Sequence, residues 1–243
     1  MTNVFKTALK WFLFFVALLP AQISFAQMLA NPAQVNGHGR NSFGLGLVNS
    51  SIDYEYDHDS GDIKRKTIAF DLGHGVSDKM DAFGQFGFIF DDEAKVFDAG
   101  GFSPEGKGFM FGGGVRGLAY RLHQVDLHGY GLFNYTSEEF EDKNGGVKIT
   151  IKQHIYDFQG GLVGKYQINS DAAVYGGLEL VFMSDGKADV KVSGGGTSDS
   201  DVERDDKMNL RVGAIFDVSS FAIRPELTLM GEETFMISGY TYL

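Results

Sequence analysis

The 243-residue chain has no cysteine, four prolines and one tryptophan. A disulfide framework, a thiolate metal site, a cysteine nucleophile and a lipidated N-terminal cysteine are therefore excluded. Long apolar runs are also missing. Beyond the first 26 residues nothing approaches the roughly 18 uninterrupted apolar residues that a membrane-crossing helix needs. Cationic side chains are scarce, 21 Lys and Arg against 32 Asp and Glu, for a net charge of −11. Such a surface repels a phosphate backbone, so nucleic acid is not an expected partner.

What is abundant is glycine (33), phenylalanine (22) and tyrosine (10). This mixture is rich in strand-favouring aromatics and favours an all-β fold around one sizeable core. The N-terminus has its own pattern. Lys6 and Lys10 precede the apolar run Trp11 to Pro20, and Ser24-Phe25-Ala26 places small residues where a signal peptidase inspects the chain. Residues 1–26 read as a cleaved signal peptide, with the mature chain starting at Gln27. Cleavage removes Lys6 and Lys10 and no acid, taking the charge from −11 to −13.

The mature chain alternates with period two. In KTIAFDLGHGV, Ile68, Phe70 and Leu72 share one face, with Thr67, Ala69, Asp71 and Gly73 on the other. About ten segments of this kind recur: 43–56, 66–76, 80–90, 108–122, 125–136, 147–168, 172–183, 208–218, 221–230 and 233–243. The pattern slips near Asn49 to Ser51 and near Ile155 to Phe158, which suggests either bulges or a different register. Connections alternate between tight turns (SDK, HQ, NSD, SS) and long polar stretches at 57–62, 91–107, 137–146 and 184–206, with the short Gly231-Glu232 as an exception. Tight turns at one rim and long loops at the other fit a closed antiparallel up-and-down transmembrane β-barrel of about ten strands, with eight or twelve as alternatives. Alternation alone fits a soluble sandwich equally. Aromatics near strand ends favour the barrel: Tyr54, Tyr56, Phe88, Phe90, Phe109, Phe111, Phe133, Tyr135 and Phe182 at the long-loop rim, and Phe43, Tyr166, Phe221 and Tyr242 at the other.

The signal peptide, the segment GFMFGGGVRGLAYRL and the final strand ending ISGYTYL together resemble the small outer-membrane β-barrel proteins of Gram-negative bacteria. Residues 27–41, QMLANPAQVNGHGRN, read as a flexible N-terminal periplasmic extension, with tucking into the barrel as an alternative, and 42–243 as the barrel. The resemblance implies outer-membrane lipid and lipopolysaccharide as surroundings, and the barrel assembly machinery as a transient partner. It further implies an assembly signal at alternate positions from the end, Phe235, Ile237, Gly239, Thr241 and Leu243, with Leu at the last position where the family usually has Phe.

The lumen-facing set in this register is Asp71, Gln85, Arg116, Asp126, His128, Glu179, Arg211, Arg224 and Glu226. Mixed signs in a narrow barrel read as a paired charge network, chiefly Asp71, Arg116, Glu179, Arg211, Arg224 and Glu226. A selective pore would need one sign to dominate. Omptin proteases, which share a ten-strand barrel, and lipid A deacylases set the hydrolase alternative; Asp57-His58-Asp59 and His154 are the only histidine placements that invite it, and neither spacing is specific. Asp199, Asp201, Glu203, Asp205 and Asp206 lack the glycine and terminal glutamate of an EF-hand and read as a solvated loop. The expectation is an integral outer-membrane barrel, non-enzymatic, with no catalytic or metal site and no cofactor, acting structurally or through acidic extracellular loops on a ligand that these residues do not identify. A narrow solute pore is the alternative. Intact-mass spectrometry of the exported protein should give a chain beginning at Gln27; a product retaining Lys6 and Lys10 would refute the processing site.

Overall fold

The computed structural model describes residues 31–57, 59–96, 104–144 and 146–243; the expected signal peptide and residues 27–30 lie outside them. Eleven antiparallel strands follow one another: β1 (Asn41–Tyr56), β2 (Asp59–Ser77), β3 (Met80–Val96), β4 (Glu105–Leu122), β5 (Val125–Asn144), β6 (Val147–Asn169), β7 (Ala172–Val192), β8 (Thr197–Arg204), β9 (Met208–Val218), β10 (Phe221–Leu229) and β11 (Glu233–Tyr242). Each of the first seven pairs with the next, β7 pairs with β9, and β11 returns to β1 from Ser51↔Glu233 down to Ser42↔Tyr242. The hydrogen-bonded ring thus runs through ten strands and has no edge, which satisfies the backbone without help from solvent.

The eleventh element, β8, comes from the stretch 184–206 that the sequence suggests is a long solvated loop. β7 extends to Val192, and β8 folds back along it and then touches β1 through Tyr54↔Arg204, Glu55↔Glu203 and Tyr56↔Val202. β8 and β9 descend in the same direction, so they are one long strand broken at Asp205 to Lys207. Above the break, β8 takes the place of β9, β10 and β11. The ladder from Tyr56 through Val202, Gly186, Ile155, Thr136, Met110, Gly87 and Ala69 returns to β1 at Gly46, so eight strands close with a stagger of ten residues. A ten-stranded barrel narrows into an eight-stranded crown. The other expected loops also shorten: 57–62 is mostly the start of β2, 137–146 mostly the end of β5, and 91–107 loses residues at both ends to β3 and β4.

The two levels are inverted relative to one another. Along β1 the outward residues are Phe43, Leu45 and Leu47, then Asn49, Ser51, Asp53 and Glu55, while every second residue is inward throughout. There is no slip at Asn49 to Ser51; the outward face changes from apolar to polar, and the inward face from Ser42 and Gly44 to Ile52, Tyr54 and Tyr56. The expected phase error is a change of surrounding medium. β6 repeats it, with Ile151 and Ile155 inward and Tyr156, Phe158 and Leu162 outward. Tyr54 and Tyr56 are buried in the crown and do not belong to the outer aromatic rim; they pack with Ile52, Ile63, Phe140, Ile151, Ile155 and Val202 as an ordinary dry core. On the sixth strand the expected irregularity is present, as a register shift against β7 between Phe158 and Gln159. Register shifts leave Phe90 on β3 and Phe182 on β7 as the extra residues, both outward at the boundary between the levels.

Below that boundary the outward surface is apolar around the barrel, from Leu45, Ile68, Phe86 and Val115 to Leu127, Leu162, Leu178, Ile223 and Ile237. A continuous apolar surface of this size needs hydrocarbon beside it. Its upper border is an aromatic belt: Phe86 meets Phe88 edge-on at 4.6 Å, Phe111 lies 5.1 Å from Tyr135, Tyr135 4.9 Å from Tyr156, and Phe158 5.7 Å from Phe182. Leu178, half exposed in mid-belt, tests the medium. Leu178→Arg should cost about 2–4 kcal/mol in urea unfolding of the lipid-inserted protein, whereas Thr197→Arg in the crown should stay within about 0.5 kcal/mol; equal effects would exclude a lipid-facing belt.

Candidate functional site

The barrel interior is charged and full. Arg211 on β9 projects inward because its neighbours Leu210 and Val212 face out, and it sits between Glu179 of β7 and Glu226 of β10. Its Nη2 lies 2.9 Å from Glu179 Oε2 and its Nη1 2.5 Å from Glu226 Oε1. The Tyr130 hydroxyl donates to Glu179 at 2.7 Å, Asn209 Nδ2 donates to it at 2.9 Å, and the Tyr175 hydroxyl donates to Glu226 at 2.5 Å. All three charges are essentially inaccessible to solvent. Glycine makes room: a Cβ on Gly213 would fall 2.4 Å from the Tyr175 ring.

Other charges form separate groups. Arg116 pairs with Asp81 at 3.0 Å and donates to the Asn31 carbonyl at 2.8 Å. The N-terminal segment thereby closes the tight-turn end: the Asn36 N–H donates to the Asp81 carboxylate at 2.8 Å, Asn31 Nδ2 donates to the Tyr240 hydroxyl at 3.2 Å, and Ala33 is fully buried. Asp71 lies against Gly44, where a Cβ would fall 1.8 Å from its Oδ1, beside a small enclosed space it shares with Arg116 and Tyr240. Arg224 is buried with Nη2 3.5 Å from the Met236 sulfur. Of the six residues expected to form a network, Glu179, Arg211 and Glu226 are joined directly, while Arg116, Asp71 and Arg224 belong to other parts of the interior. Gln85 is inward and donates to Asn134 at 2.6 Å, and His128 is buried. Asp126 shares the inward face of β5 with His128 and Tyr130 but lies at its tight-turn end, where Arg121 holds it at 2.6 Å.

A third group lies beneath the crown and is absent from the sequence-derived set. Arg65 binds Glu138 and donates to the Tyr54 hydroxyl at 3.0 Å, with Gln153 donating to Glu138 at 2.7 Å. Arg204 binds Glu232 and lies 4.0 Å from Asp157. Glu232 follows the left-handed pair Met230 and Gly231, so the short connection at 231–232 exists to turn this carboxylate inward toward the break in the eighth strand. Strict alternation from the belt through β2, β5 and β6 would have found Arg65, Glu138 and Asp157. Arg204 and Glu232 sit in stretches that had been read as connections.

At the crown His154 is the cross-strand partner of Ser137. His154 faces outward, stacked 6.1 Å from Tyr135 with Nδ1 2.9 Å from its hydroxyl, and His58 lies outside the described residues. Among the described residues no three histidine or acidic side chains are gathered as a metal site. Asp199, Asp201 and Glu203 point outward at alternate positions of β8. Beside them a cleft of about 300 Å³ is lined by Glu55, Tyr56, Asp57, Ser184, Asp185, Asp201, Val202 and Glu203. Acid crowding is general on this side: partial burial and then repulsion from Asp62, Asp206, Asp205 and Glu233 raise the Asp53 carboxyl above its ordinary range. Across the crown, a hydrogen bond from Lys148 holds Glu141 below its ordinary range.

No family profile matches this chain, and no curated protein is recognisably similar to it in sequence. Solved structures are similar in fold. The outer membrane protein OprG from Pseudomonas aeruginosa is 13% identical over 86% of this chain and 99% of that one, with a TM-score of 0.50. The translocator domain of the autotransporter NalP from Neisseria meningitidis is 12% identical over 86% and 90%, TM-score 0.52. The outer membrane protease OmpT from Escherichia coli is 11% identical over 89% and 97%, TM-score 0.53. At these identities the likeness is one of barrel architecture. The fold is that of the outer-membrane β-barrels.

The Glu179–Arg211–Glu226 group makes a sharp energetic prediction. Arg211→Met leaves two carboxylates buried together and should cost about 3–5 kcal/mol, read by urea unfolding in lipid. Adding Glu179→Gln and Glu226→Gln should recover most of the loss; no recovery would mean that Arg211 acts through packing alone.

Proposed function

We propose that this chain is an integral protein of the bacterial outer membrane, exported by its signal peptide, whose lumen is sealed and whose working surface is the crown. One observation carries the reading: along uninterrupted strands, apolar residues face outward in the lower level and inward in the upper one. Such a molecule is suited to hydrocarbon below and water above, and the crown is suited to the extracellular side because barrels of this type keep tight turns in the periplasm. Lipopolysaccharide would surround the belt. The outward residues Phe235, Ile237, Gly239, Thr241 and Leu243 remain the proposed assembly signal, on the strand that closes the ring.

The way the interior is used favours a structural or surface-interaction role. Paired, solvent-free charges at three levels together with the N-terminal segment argue against a solute path. The acidic crown is then the part left to act. Membrane fractionation should recover the protein in the outer membrane with heat-modifiable gel mobility. Because the chain has no cysteine, Gly195→Cys should be labelled on intact cells by a membrane-impermeant maleimide. The purified barrel should give no conductance steps in a planar bilayer; steps altered by Arg211→Met would establish a pore instead.

A further inference from the structure

The top of the crown ends in an open strand edge. β8 pairs with β7 from Thr197 to Val202, but with β1 only from Val202 to Arg204. β1 stops at Tyr56, and Asp57 beyond it covers Ser200 and Asp201, its N–H donating to Ser200 Oγ at 3.2 Å, so among the described residues no strand lies on the other side of Thr197 to Asp199. Parity identifies the backbone groups concerned. Arg204 N–H turns toward β7, donating to Ser184 Oγ at 3.0 Å, whereas Asp201 N–H turns the opposite way, to Asp57 Oδ2 at 3.2 Å. Even residues of β8 therefore serve β7, and Thr197 and Asp199 direct their N–H and C=O groups to the open side.

Natural proteins guard such edges with charge, most often lysine, so that they do not pair indiscriminately. Here the guard is acidic. Asp199 and Asp201 face outward on the edge itself, and the adjoining cleft adds Glu55, Asp57, Asp185 and Glu203. Glu55 and Glu203 are direct cross-strand partners of like charge. The nearby cations are Lys187, 3.7 Å from Asp201, Lys207, 2.8 Å from Glu203, and Lys191, the cross-strand partner of Thr197; Asp189, opposite Asp199, adds a further carboxylate. The inward positions of the edge are the small Ser198 and Ser200. A strand added here would find carboxylates opposite its outward side chains and hydroxyls opposite the inward ones.

We propose that the crown binds an extended, lysine- or arginine-rich segment of a partner protein by strand addition to the Thr197–Asp199 edge, with alternate cationic side chains against Asp199, Asp201 and the cleft. Main-chain hydrogen bonds supply affinity, and the carboxylates select charge and fix which alternate residues face out. This rests on the reading of the crown as the working surface and names the class of partner it takes.

The test uses the full exported chain in detergent micelles and a fluorescein-labelled heptapeptide of alternating lysine and valine, followed by anisotropy. In an antiparallel addition the lysine amides point at β8. Methylating the lysine amide nitrogens should weaken binding at least ~10-fold, while methylating the valine amides should leave it nearly unchanged. Asp199→Lys with Asp201→Lys should also weaken it ~10-fold or more, with heat-modifiable mobility reporting that the barrel is still folded. Loss confined to either one methylated set, together with loss in the charge-reversed variant, supports strand addition. Equal binding of both methylated peptides shows ionic adsorption only and overturns it, as does unchanged binding by the variant or no binding by the folded wild-type protein. Binding is read on purified protein, so its failure leaves the cell-surface labelling of Gly195→Cys to judge the crown's location separately.

Discussion

Closure of the hydrogen-bond ladder is the constraint on which everything else rests. In hydrocarbon an unpaired amide has no water to turn to, so a β protein must join its first strand to its last. The β1–β11 pairing does this over Ser42 to Ser51. Once the ring is shut, side chains have only two directions, and the medium on each side decides which residues each direction takes. Below the boundary the outside is oil and the inside must hold whatever is polar. Above it the outside is water, and the same strands, in nearly unbroken alternation, bury tyrosine, isoleucine and phenylalanine. Only Phe90 and Phe182 mark the transition with a bulge.

The interior charges follow from that confinement. A ten-strand barrel is too narrow to keep bulk water around its lumen residues once tyrosines and the N-terminal segment have entered it, so each guanidinium has to be met by carboxylates and hydroxyls. Arg211 is met by two, Arg116 by Asp81 and backbone, Arg204 by Glu232 and Asp157. Ion pairs of this kind contribute little net stability, but losing one member strands the other. Their effect is to fix which face of each strand is inward, and hence the register.

Much of this architecture is legible in the sequence because period two is a direct projection of the pleat. Ile68, Phe70 and Leu72 against Asp71, or Leu178 and Leu180 against Glu179, report their faces without any structural aid. The crown is harder to read for a physical reason. There the outward residues become polar and the inward ones apolar, so a reader who assigns faces by hydrophobicity sees a phase slip at Asn49 to Ser51 and places Tyr54 and Tyr56 on the wrong side. The stretch 184–206 misleads differently. Its glycines, serines and aspartates look unable to order themselves, yet Val190 and Val202 point inward and β7 supplies a template for the return strand. Pairings such as Arg204 with Glu232 depend on where the eighth strand breaks, which no local pattern announces.

The narrowing from ten strands to eight changes how closely such molecules can crowd. Barrel diameter grows roughly linearly with strand number, so the crown occupies about two-thirds of the cross-section of the belt. Neighbours that touch flank to flank in the bilayer therefore keep an unfilled gutter between their upper parts, widest on the side where β9, β10 and β11 stop short. Even in a densely tiled membrane the flanks above that gutter stay within reach of large molecules.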